Sequence, residues 1–245
     1  MNPTINQILD HRSIRKFKNE PISKEQIKAV IESAQMASSS SNMQAYTVIG
    51  ITSPEKKRLL AEYAGNQAYI EEAPLFLVWC ADLNRISIAS KPYGVDEIVS
   101  STENFIAATV DVALAAQNAA IAAESLGLGI VYIGGIRNKP KEVCELLKLP
   151  KLVYPVFGMC IGVPDQKPIK RPRLPLSAVY HEEEYDTAIY EEQINLYDES
   201  IRKYTIERSG GKQDTCWSKE MAAKISRPIR EHMRSFLNEQ GFKLE

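Results

Sequence analysis

The chain has 245 residues, 44% hydrophobic and 25% charged, a globular composition with material for a sizeable core that excludes a disordered or fibrous protein. Its 30 Lys and Arg oppose 31 Asp and Glu for a formal charge of -1, so no basic excess points to nucleic acid or a membrane surface. Any anion binding must come from local clusters.

The N-terminal stretch MNPTINQILDHRSIRKF has neither the basic start nor the continuous apolar core of a signal peptide, so a cytoplasmic protein is expected. Cys80, Cys144, Cys160 and Cys216 form no C-x-x-C pair, and Cys80 and Cys160 sit in apolar runs where cysteine behaves as a small hydrophobe. His11, His181 and His232 lie far apart without ligand-spaced partners, so no metal site is expected.

In chain order, Pro3 to Leu9 predicts a short helix. His11-Arg12-Ser13-Ile14-Arg15-Lys16-Phe17-Lys18 then packs cations around two apolar residues. It reads either as a solvated charge run or as an extended anion-binding segment. Period-2 alternation, with Ser13, Arg15 and Phe17 on one face, leans to the second. Ser23 and Gln26 form a capping box opening a helix whose stripe is Ile27, Val30, Ile31 and Ala34. Ser38 to Asn42 is a plain loop or a row of hydroxyl donors able to orient a phosphate or polar ring.

Tyr46 to Thr52 is a strand by its β-branched content, and Ser53-Pro54 starts a helix. Gly65-Asn66-Gln67 makes a turn. Ala73 to Ala81 is continuously apolar, the pattern of a central strand covered on both faces. From Ser101 to Leu126 the chain is Ala-rich and apolar on nearly every face, which predicts a buried helix roughly 30 to 40 Å long. Such a helix also invites a membrane-span reading, but Asp111, Gln117 and Asn118 lie inside it and favour a core helix. Ile130 to Ile133 then forms a buried strand ending at Gly134-Gly135, a turn that exposes backbone.

Lys141 to Leu149 predicts a helix and Val153 to Gly162 another buried strand. Lys167 to Pro175 is a second basic cluster, held extended by its prolines. From Ser177 the composition turns charged and Tyr-rich, and one final amphipathic helix is expected through Ile225, Ile229, Met233, Phe236 and Leu237. The expected organisation is a core over residues 1–175 and an extension over 176–245 that is not an independent domain.

Two basic clusters, a hydroxyl run and a glycine turn after a strand suit a phosphorylated, planar, polar-edged cofactor. No G-x-G-x-x-G, G-x-x-x-x-G-K-[ST] or G-x-S-x-G motif is present, so Rossmann, P-loop and α/β-hydrolase sites are not indicated.

HRSIRKF at 11–17, ASSSSNMQ at 37–44, AAQNAAIAAESLGLGIVYIGGIRN at 115–138, PVFGMCIGVP at 155–164 and RPRLP at 171–175 together resemble the nitroreductase family, most of all its NADPH-dependent flavin reductase and oxygen-insensitive nitroreductase branch. The resemblance runs the full length in order. It implies an α+β fold with a mostly antiparallel central sheet flanked by helices. It also implies a homodimer with FMN at the subunit interface and a C-terminal extension wrapping the partner subunit. By the same resemblance, His11, Arg12, Ser13, Arg171 and Arg173 surround the FMN phosphate and Arg15 faces the N1/O2 edge of the ring, where a cation stabilises reduced flavin. Ser39, Gln67 and Tyr69 match positions touching ribityl or pyrimidine atoms, and Tyr132, Ile133, Gly134 and Gly135 match the segment facing N5 and the dimethylbenzene ring. Arg171 stands where the family pattern usually has Lys.

In the extension, Arg208, with Lys212 beside it, falls where this branch grips the 2′-phosphate of NADPH, although the loop 209–213 is poorer in arginine than the pattern. The other reading of Arg208 and Lys212 is a mobile solvated loop. The activity implied is ping-pong hydride transfer from NAD(P)H, with NADPH the expected donor, through FMN to nitroaromatics, quinones or free flavin, with no side chain as the chemical catalyst. The alternatives are an oxidase producing hydrogen peroxide and a flavin-binding redox sensor.

Overall fold

The computed structural model describes residues 2–98 and 101–244 and divides into two units, Met1–Lys167 with Arg230–Glu245, and Pro168–Ile229. In the first unit α1 (Pro3–Leu9), α2 (Lys24–Gln35), β1 (Tyr46–Ile51), α3 (Pro54–Tyr63), α4 (Tyr69–Glu72), β2 (Leu75–Asp82), α5 (Asn84–Ser90), α6 (Thr102–Ser125), β3 (Gly129–Ile133), α7 (Pro140–Leu147) and β4 (Val153–Gly162) follow in order. The strands form one antiparallel sheet in the order β1-β2-β4-β3.

Every residue of β2 is buried, and the reason is a core on each face. Leu75, Leu77, Trp79 and Ala81 point into one cluster with α2 and α6, while Phe76, Val78 and Cys80 point into a second with α3, α7 and β3. Alternation along the strand thus feeds two apolar layers, and the sequence shows an unbroken hydrophobic run. Pro155 fits inside β4 because the β2–β4 register shifts between Trp79 and Cys80, a bulge that relieves the ladder where proline has no N–H to give. β3 is an edge strand.

The local signals hold at several helix starts. Ser23 accepts from the Gln26 backbone and Gln26 reaches back to it, completing the capping box. Ser53 and Ser101 accept from Lys56 and Asn104 in the same way. Helix α6 passes the length and apolarity test for a membrane span, but its alanines at 108, 115, 116, 119, 120 and 123 are buried against the sheet and α2. It is a core helix that is not buried all round: Ile106, Val110 and Leu114 are 44–49% exposed along one outer stripe.

The second unit holds α8 (Tyr190–Ser209) and α9 (Trp217–Ile225). Tyr197 donates to the Pro172 carbonyl at 3.2 Å and packs edge-on against Trp217. The single final helix expected from the sequence is in fact two. Helix α9 stops at Ser226, two residues before Pro228, and α10 (Met233–Gln240) belongs to the first unit, where Phe236 and Leu237 join the core. Proline lacks the N–H and clashes with the preceding turn, so the apolar periodicity runs across a break in the backbone.

Cys80, Cys144 and Cys160 are buried and Cys216 is partly exposed. Burial pushes all three buried thiols up, Cys144 to about 12. Since the thiolate is the nucleophile, titration of the native protein with an aromatic disulfide reagent at pH 8 is expected to give one rapidly reacting thiol, Cys216. Rapid reaction of three or four would contradict this packing.

Candidate functional site

The first basic cluster is stapled along the outer edge of the sheet. The Ile14 N–H donates to the Ile130 carbonyl at 2.8 Å, Ser13 bridges Ile130 in parallel, and Phe17 bridges Pro164. The Lys18 N–H donates to Val163 and the Asp165 N–H to Lys16, at 2.9 and 3.0 Å. Only one residue type at 129 admits this contact: a Cβ there would lie 2.6 Å from Ile14 Cγ1. Ile14 and Phe17 are the buried anchors, and Arg15 and Lys16 between them are both exposed. Strict alternation therefore fails, because the anchors are three residues apart and the segment pairs first with Ile130 of β3 and then with Pro164 beyond the end of β4.

This staple fixes the cations. Arg12 donates to Asp10 Oδ2 at 2.7 Å, while its Nε is buried without any hydrogen-bond partner. His11 Nδ1 meets Glu124 Oε1 of α6 at 2.5 Å. Arg15 forms no hydrogen bond or ion pair with the described residues. A cleft of about 360 Å³ opens here between Arg12, Glu124, Gly129 and Lys167. The orphaned Arg12 Nε and Lys167 are donors that fit a phosphorylated ligand, in a cleft that the carboxylates of Asp10 and Glu124 also line.

At the far end of β3 a second group converges. Gln67 donates to the Ala64 carbonyl at 2.7 Å and accepts from the Tyr69 hydroxyl at 2.5 Å. A Cβ at Gly135 would overlap both Ala64 O and Gln67 Nε2. Gln67, Tyr69 and Gly135 are thus one assembly, with Gly134 next in chain to the closely packed glycine. Arg137 donates to the Val156 carbonyl, and burial followed by the charge of Arg230 lowers its affinity for its proton. Tyr132, half-buried, donates to Gln117 at 3.3 Å and stands edge-on to Phe157. Desolvation pushes its hydroxyl well above the ordinary tyrosine range, so it stays protonated. Ile133 is buried, facing the α3–α7 layer rather than the surface.

Ser39 lies at the start of a short 3-10 turn, Ser40–Asn42, where the hydroxyl run was expected to be a loop or a donor row. Its Oγ accepts from the Gln44 N–H at 3.1 Å. Two supporting residues escaped the sequence reading. Lys57, buried and with its charged form disfavoured by desolvation, donates to the Glu71 and Ala73 carbonyls at 2.7 Å each and closes the end of α4. Asp111 of α6 is 1% exposed and accepts from the Ser40 and Ala45 N–H groups at 2.9 and 3.0 Å. A lone carboxylate in an alanine helix was the available signal, though it argued only against a membrane.

In the second unit, Arg173 donates to the Arg171 carbonyl at 2.9 Å, and Arg171 lies 3.6 Å from Glu220. Both are extended and proline-flanked. Arg208, in the last turn of α8, donates to Gln213 at 2.9 Å with its guanidinium over the Tyr204 ring. Lys212 is exposed in the turn that follows.

The nitroreductase family model matches residues 8–163, and the model of that family's C-terminal domain matches residues 171–245. The chain belongs to the nitroreductase family. It is 45% identical over 246 residues, 99% of both chains, to an FMN reductase (NADPH) of Bacillus subtilis (strain 168). It is 40% identical over 243 residues, again 99% of each, to an oxygen-insensitive NADPH nitroreductase of Salmonella typhimurium. The solved structure of B. megaterium NfrA2 superposes with a TM-score of 0.97 at 43% identity, covering 100% of both chains.

Because a methyl group at Gly135 cannot coexist with the Gln67 contact, Gly135→Ala is expected to destabilise the protein by about 1–3 kcal/mol. The denaturation midpoint in urea measures this. An unchanged midpoint would show that the turn has slack that the geometry denies.

Proposed function

We propose that this protein is an FMN-dependent NADPH oxidoreductase that reduces nitroaromatics, quinones or free flavin in two half-reactions at one pocket. Family membership supports the class, and one observation carries the placement: the cationic 11–18 segment, hydrogen-bonded to β3, with the orphaned Arg12 Nε in a cleft beside it. The chemistry that bound FMN supplies is two-electron carriage from NADPH to an acceptor.

Everything else is the work of the chain. His11, Arg12 and Ser13 hold the phosphate end, with Glu124 orienting His11. Arg15, exposed and without an internal partner, supplies positive charge to the pyrimidine edge, favouring the reduced, anionic form. Gln67, Tyr69 and Ser39 contribute hydrogen bonds, and the backbone of Tyr132, Ile133, Gly134 and Gly135 faces the ring, the Ile133 side chain pointing away into the core. On the same motif grounds Arg171 and Arg173 are cofactor residues, and Arg208 and Lys212 receive the 2′-phosphate of NADPH. No side chain needs to exchange a proton in the hydride step, and the raised Tyr132 hydroxyl is a donor rather than a base.

The active form is a homodimer in this reading. Ile106, Val110 and Leu114, spaced four apart on α6, make an apolar stripe, and Ile5, Ile8 and Leu9 of α1 extend it. Helix α1 is tied to α6 by the bond from Gln7 to Ile121. Apolar patches of this kind mark interaction surfaces. Residues 1–175 act as the flavin-binding core, with 176–245 as the extension that embraces the second subunit. The protein works in the cytoplasm.

The test of activity is an anaerobic titration: a yellow protein bleached by NADPH and recoloured by a nitroaromatic, with parallel double-reciprocal plots. A colourless protein, or a yellow one that NADPH does not bleach, would sink the reading. Bleaching followed by reoxidation with oxygen alone would favour the peroxide-producing oxidase.

For the donor, Arg208→Ala is expected to raise KM for NADPH roughly tenfold or more by removing a charged hydrogen-bond partner, with KM for NADH unchanged. Equal effects on both donors would contradict a 2′-phosphate contact.

A further inference from the structure

Asp111 is a costly residue where it stands. It sits in the middle of an alanine-rich helix at 1% exposure, with no cation paired to it among the described residues, and an isolated buried carboxylate is offset only by the hydrogen bonds it accepts. Those bonds come from one place. Oδ1 accepts from the Ser40 N–H and Oδ2 from the Ala45 N–H, bracketing the segment between them.

That segment is strained. Ser41, Asn42 and Gln44 all have positive φ, at 46°, 58° and 51°, and none is glycine. Left-handed conformations cost energy in residues with a Cβ and persist only where the surroundings over-determine them. The carboxylate does this from below. From the other side Arg85 donates to the Gln44 and Tyr46 carbonyls at 3.3 and 3.2 Å. The outcome is a fixed Ser39 hydroxyl: its oxygen accepts the Gln44 N–H at 3.1 Å, and its own hydrogen has no acceptor among the described residues.

We infer that Asp111 is a positioning residue for FMN binding: its two carboxylate oxygens lock the 40–45 segment so that the Ser39 hydroxyl presents its free hydrogen to the cofactor. This rests on the reading of Ser39 as a flavin contact. A carboxylate is required because both facing groups are donors. An amide would meet one of the two N–H groups with another donor. The same helix carries the exposed Val110 stripe one residue away, so the flavin loop is fixed to the element that meets the second subunit.

The test follows FMN release from full-length holoenzyme on dilution, read as recovered flavin fluorescence. Ser39→Ala and Asp111→Asn are each expected to weaken FMN retention roughly tenfold, the worth of one hydrogen bond to a polar or charged group. The double variant is expected to lose no more than Ser39→Ala alone, since effects through one shared contact are not additive. Should Asp111→Asn fail to fold, Ser40→Pro serves in its place, because proline is tolerated at the first position of a helical turn and removes the N–H that Oδ1 accepts; it should reproduce the loss. Unchanged retention in Ser39→Ala would remove the flavin contact and overturn the underlying reading together with the inference. A loss in Ser39→Ala with none in Asp111→Asn or Ser40→Pro, or additive losses in the double variant, would overturn the inference alone.

Discussion

The structure depends on one helix having two apolar sides. Six alanines and Val112 of α6 lie against the sheet and α2, where their small side chains allow close approach, and removing such surface from water is the main favourable term in folding. The opposite side carries Ile106, Val110 and Leu114 at roughly half exposure, too regular a stripe for scattered surface hydrophobes. In the proposed homodimer this stripe is the face that meets the second subunit. On the proposed dimer, the composition that makes α6 pass for a membrane span is that of a helix with one apolar side for its own core and another for the second subunit.

Polar groups inside that architecture are few and specifically used. Asp111 answers two backbone N–H groups, Lys57 two carbonyls, and Gln67 one carbonyl and one hydroxyl. Each fixes a turn or a helix end. Helices and strands satisfy their own backbones; irregular turns cannot, and borrow side chains from the scaffold. The 11–18 segment shows another version of the same principle, pairing its backbone with β3 and the end of β4 and leaving its cations free of regular structure.

Much of the fold was legible because it rests on local rules. The capping box at Ser23, the helix from Pro3 to Leu9 and the strand from Val153 to Gly162 fall where sequence pattern puts them. β2 was readable as central because two-sided burial erases alternation. The segment 226–232 was misread because hydrophobic period persists across a proline that ends the helix. The candidate site residues come from motif resemblance rather than chemistry: nothing in the spacing of Gln67 or Ser39 announces a ligand. Asp111 and Lys57 were invisible as supports because their partners are backbone groups 66–71 and 14–16 residues away, and backbone carries no sequence signal.

The central claim is that the outer stripe of α6 is an interface and that the flavin site is complete only in the pair. Sedimentation velocity of Val110→Glu, with protein and flavin absorbance recorded in the same run, tests it most directly. A buried unpaired carboxylate at an interface costs several kcal/mol, so the account predicts a folded monomer sedimenting without bound flavin, against a wild-type dimer that carries it. A variant that remains dimeric, or a monomer that keeps stoichiometric flavin, would contradict the account.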